Sequence, residues 1–100
     1  IRKEHFENNK ISFPEKMVFE DLAIMPSLMS SSRRVVHLLA PFYYYRMRLD
    51  STIHTGGENV DDFLKACHYI EQHKDSRYHD EVEYLVVMEI FFYAFVKYRE

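Results

Sequence analysis

The sequence is short of the residues that punctuate β structure. It holds two glycines and three prolines in 100 residues. An all-β domain needs many tight turns, which Gly and Pro supply, so that class is excluded. The one cysteine, Cys67, leaves no internal disulfide. No Asn-x-Ser/Thr sequon occurs, and the first residues do not read as a signal peptide. Together these fit an intracellular chain, cytoplasmic or nuclear. No apolar run approaches the roughly 20 residues of a membrane span, so none is expected. C-x-x-C, H-E-x-x-H and E-x-x-H are all missing, and no Gly-rich phosphate loop occurs. Neither a metal site nor a cofactor is therefore expected. Net charge is −3, which favours no partner class by itself.

What the chain does have is apolar and aromatic mass. The hydrophobic fraction is 47%, too high for a disordered chain, and eight Phe and eight Tyr make up all the aromatics. One hundred residues make one domain with a modest core. The densest stretch runs from Tyr84 to Val96, where only Glu89 is neither apolar nor aromatic. It is too long for a typical buried strand and rich in helix formers, so a helix is predicted over 80–100. Its apolar residues keep to no single stripe. Such a helix belongs at the centre, enclosed by neighbours or by a second copy.

Three further helices are predicted. Ser12, Pro14 and Glu15 form a capping box with proline in the first turn, which starts a helix over 12–25. Pro26 should end it, leaving 26–32 as a linker. The serines Ser30, Ser31 and Ser32 then offer N-caps for a helix over 33–49, bent at Pro41. A loop over 50–59, broken at Gly56-Gly57, precedes a helix over 60–73 with Val60, Phe63, Leu64, Cys67 and Ile70 inward. Residues 74–77 form a polar turn. Residues 1–11 read as an arm, mobile or docked through Phe6 and Ile11. The expected fold is all-α: a compact bundle of four main helices with a largely buried C-terminal helix.

Chemistry is thinly signalled. The six histidines show no i, i+3 or i, i+4 pairing. His79 and Asp80 carry the weakest functional reading, a small hydrolase. Cys67 falls on a core face and reads as an inert thiol. Glu89 stands among apolar neighbours, so its carboxylate should be buried and hydrogen-bonded, paired with an arginine or a tyrosine hydroxyl. No catalytic residue is assigned.

Binding is better signalled. Residues 33–49 carry four arginines and no acid, whereas residues 50–89 carry ten acids and three bases. Tyr43, Tyr44 and Tyr45 would spread over about 200° of a helix, too wide for one core face. Exposed Tyr and Arg favour protein interfaces, so Tyr43, Tyr44, Arg46, Arg48, Arg33 and Arg34 are the candidate contact residues. The aromatics of the last helix are a second candidate surface. The preferred role is a protein–protein interaction or dimerisation module of a larger intracellular or viral protein, its partner a helix, a peptide or a second copy. The alternative is a helical domain that binds nucleic acid through Arg33, Arg34, Arg46 and Arg48.

Overall fold

The computed structural model describes residues 1–46 and 59–99. The described part is all-α, with four α-helices and no strand: α1 Lys3–Asn8, α2 Glu20–Ser31, α3 Asn59–His73 and α4 His79–Arg99. A single 3₁₀ turn, Ser76–Tyr78, links α3 to α4. The expected 50–58 loop and residues 47–49 of the expected second helix lie outside the described residues.

The core is built on α3, not on α4. Phe63, Ala66, Cys67 and Ile70 recur at spacings of three and four and are all buried. They meet Ala23, Ile24 and Leu28 of α2 on one side and Val82 of α4 on the other. Leu64, expected inside, is half exposed at 51%. The expected central C-terminal helix is therefore a correction. Val82 is the single fully buried residue among α4's described side chains, while Tyr84, Phe91, Phe92 and Phe95 are each about two-thirds exposed.

The first half of the chain departs most from expectation. No helix forms over 12–19. Instead α3 holds this stretch open: Asp62 Oδ2 accepts from the Val18 amide at 3.0 Å, and Tyr69 Oη donates to the Ser12 carbonyl at 3.5 Å. Phe19 adopts a left-handed backbone at φ 68°, costly for a residue with a Cβ. Its ring is held edge-on against Phe63 at 5.7 Å and Tyr93 at 6.0 Å. The capping box thus loses to four long-range contacts. α2 begins only at Glu20, with Glu20 and Asp21 at its positive end.

Pro26 does not end a helix; it lies inside α2. A proline there forgoes the bond to the Leu22 carbonyl and costs about 3 kcal/mol. Burying Ile24 before it and Leu28 after it recovers about 1.5–3 kcal/mol each, so the helix runs through. The serines expected to cap a following helix close this one instead. Ser31 and Ser32 hydroxyls donate to the Ser27 and Leu28 carbonyls, each at 2.6 Å. The Leu28 carbonyl is one that the helix end leaves without an amide partner, since the Ser32 amide turns to Met29. Residues 33–46 then form no helix.

α1 occupies the stretch expected as an arm. His5 Nε2 lies 2.9 Å from Ser31 Oγ, and the Phe6 ring stacks on Phe13 at 6.2 Å. α3 and α4 fall where the sequence places them, and Asp75 organises the turn between them. Its carboxylate accepts from the Arg77 amide at 3.0 Å and guanidinium at 2.7 Å.

Two predictions follow from this packing. Ile24→Ala empties a site that is only 2% exposed. It is expected to cost about 2–5 kcal/mol, read from urea unfolding. The Lys65 ammonium and the Val18 amide hold the Asp62 carboxyl below the usual carboxylate range. A carboxyl whose pKa is lower folded than unfolded stabilises fully above the unfolded value, about 3.9, and stops doing so as pH falls through the folded one. Asp62→Asn is expected to shallow the acid limb of stability against pH. Asp75, held down by Arg77, keeps the remainder.

Candidate protein-interaction surface

α4 is apolar on two opposite faces, and only one is packed. At 100° per residue, Val82, Val86, Glu89 and Tyr93 share the face turned to the core. They are buried or half-buried. Tyr93 anchors this face, its ring stacked on Phe63 with centroids 4.3 Å apart and planes within 9°. Offset aromatic pairs of this kind add about 0.5–1.5 kcal/mol beyond area burial. Residues Tyr84, Val87, Met88, Phe91 and Phe95 fall on the opposite side, within an arc of about 100°. Their exposures run from 47% to 69%, and Phe92 at 67% flanks them. The same aromatic contact that seats one face turns the other to solvent.

The second surface is the segment 33–46. Every residue in it is exposed, Tyr44 at 96% and Leu39 at 92%. Tyr43 and Tyr44 are both on the surface, as are Arg33, Arg34 and Arg46. Arg48 lies outside the described residues. The helical arc expected to divide the three tyrosines does not exist, because the segment is not helical. Among the described residues, no ion pair uses Arg33, Arg34 or Arg46, and no backbone hydrogen bond involves 33–46.

Two clefts flank the root of this segment. One, of about 400 Å³, is apolar and lies between α2 and α4, lined by Pro26, Met29, Val35, Tyr78, Val82 and Leu85. The other, of about 790 Å³, gathers Arg2, His5, Arg33 and Arg34 with Ser31 and Ser32. Sequence reading pairs Arg33 and Arg34 with Arg46 and Arg48. The structure instead groups them with Arg2 and His5, through the Ser31 contact that docks α1.

Glu89 is half-buried, and no described polar or charged residue is fully buried. No described arginine pairs with it. Its charge is felt at Cys67. Burial pushes the Cys67 thiol up, and the Glu89 charge pushes it further. A thiol kept protonated this way is a poor nucleophile. His79 Nδ1 lies 3.3 Å from Glu83 Oε1 and 3.9 Å from Asp80 Oδ1, all three side chains exposed. Among the described residues, no three His, Cys, Asp or Glu side chains converge as a metal site. No described helix is long and apolar enough to cross a membrane.

Sequence reading missed Phe19 and Tyr93, which position the whole site. Tyr93 was visible as a departure from the outward stripe on a helical wheel. Phe19 gave no local signal, since its role depends on Phe63 and Tyr93.

The chain matches no protein-family model, and no curated protein or solved structure is similar to it.

Cys67 is expected to resist a thiol reagent in the folded protein at pH 8 and to react fully in urea. Glu89→Gln removes the neighbouring charge and is expected to leave the thiol slow, because burial is the larger cause. Absorbance of the released chromophore follows both reactions.

Proposed function

We propose that this domain is a protein–protein interaction or dimerisation module of a larger intracellular or viral protein. The observation that carries the reading is the outward stripe of α4: five large apolar side chains exposed opposite a packed face. Single surface hydrophobes need no explanation, but a contiguous patch rimmed by polar residues favours a partner. Segment 33–46 adds to it. Non-helical backbone without described hydrogen-bond partners is open to pairing with a partner's backbone, and its Tyr and Arg side chains suit an interface core. The contact residues proposed are Tyr43, Tyr44, Arg46, Arg48, Arg33 and Arg34, with the α4 stripe beside them.

One observation favours the nucleic-acid alternative. Arg2, Arg33 and Arg34 line one concave cleft with His5, an arrangement suited to phosphate. The acidic balance of the chain weighs against it.

The two readings separate in solution. The Leu39→Asp/Tyr44→Asp variant is expected to keep its circular dichroism, since both residues are exposed, and to weaken association with a protein partner. Gel shifts with single-stranded RNA and duplex DNA are expected to stay flat. Strong binding whose log–log salt slope falls by about two in Arg33→Ala/Arg34→Ala would reverse the order of the readings.

A further inference from the structure

Resting on the interaction reading above, we infer that a second copy of this chain covers the α4 stripe. The two α4 helices lie antiparallel about a two-fold axis near residues 89 and 90. Three features converge on this occupant.

The first is position. A two-fold contact needs one patch that is complementary to itself. The stripe runs from Tyr84 to Phe95, and its midpoint falls between residues 89 and 90. An antiparallel register about that midpoint sets Tyr84 level with the partner's Phe95, Val87 with the partner's Phe92, and Met88 with the partner's Phe91. Each aromatic then meets an apolar position, and thioether beside ring is itself a favourable pairing.

Charge is the second. α4 opens with Asp80, Glu81 and Glu83 and closes with Lys97 and Arg99. The same register brings the acidic start of one helix to the basic end of the other, Asp80 level with the partner's Arg99. A parallel pair would set acid against acid at one end and base against base at the other. The helix dipoles also favour the antiparallel pair.

Area is the third. An aromatic side chain presents about 150–250 Å², so Tyr84, Phe91, Phe92 and Phe95 together leave about 500 Å² open. With Val87 and Met88 added, the patch approaches the roughly 800 Å² per partner of a standard interface. Two helix faces meeting at 8–10 Å can cover it without disturbing the α3 core.

The test uses the full chain. Sedimentation across a dilution series is expected to show the mass doubling with concentration. Phe91→Asp is expected to remain monomeric with unchanged circular dichroism, because Phe91 is exposed and its loss empties no core. Register is read with a short bis-maleimide, which the buried Cys67 should not engage. Tyr84→Cys and Phe95→Cys proteins are expected to cross-link when mixed and not when treated separately. Cross-linking of Tyr84→Cys alone would mean a parallel pair and overturn the proposal. A dimer that persists in Phe91→Asp but is lost in Leu39→Asp/Tyr44→Asp would move self-contact to the 33–46 segment, also overturning it. A wild-type chain that stays monomeric throughout would overturn the second copy as occupant. The interaction reading itself would fall separately, if neither surface variant altered any protein association.

Discussion

The stack of Tyr93 on Phe63, closed at its edge by Phe19, is the contact on which the rest of this structure depends. It ties three separate parts of the chain to one point. Phe63 belongs to the central helix, Tyr93 to the last, and Phe19 to the turn before α2. Losing Tyr93 would free the C-terminal half of α4, because its other inward residues beyond Val82 are only half covered. Losing Phe19 would remove the reason for a left-handed backbone at that position. The aromatic pair also sets the exposed surface, since the face of α4 that it seats determines which face is open.

Local periodicity read the second half of the chain well and the first half badly, for a physical reason. In α3, Phe63, Cys67 and Ile70 repeat at helical spacing with acids at the positive end, so pattern and packing agree. In the first half they conflict. Ser12, Pro14 and Glu15 make a sound helix start, worth on the order of 1 kcal/mol. Against that stand the Asp62–Val18 bond and the burial of Phe19 on α3, which together exceed it. Pro26 fails as a terminator in the same way: its cost is local, and the burial of Ile24 and Leu28 that offsets it is not. The Ser30–Ser32 run was read as a beginning because serine caps helix starts. The hydroxyls serve equally at an end, by reaching back to carbonyls, and nothing in the three residues distinguishes the two uses.

The candidate surface was half legible. Exposure of Tyr43 and Tyr44 is expected and is found, though on irregular chain rather than on a helix. The basic cleft could not be foreseen, because Arg2 and His5 come from α1, a helix with no periodic signal and no buried residue. The error over α4 is more instructive. A helix apolar all round is expected to have both faces covered, and α4 instead leaves its outward face open. Among the described residues, the eight-residue core centred on α3 has one face to give α4.

That open face bears on Glu89. The residue sits on the inward face of α4, beside Cys67, where a carboxylate gains least from water. On the outward face it would interrupt the stripe near its midpoint, at the place where the two-fold axis is inferred. A charge there would meet its own copy across the axis, unscreened by any described cation. Keeping it inward costs partial desolvation of one group. Placing it outward would add repulsion between two. The single charged residue of a thirteen-residue apolar run thus lies where it leaves the outward patch unbroken. An apolar face kept continuous through its centre is what association requires, and a face meant only to be solvated would gain from the charge.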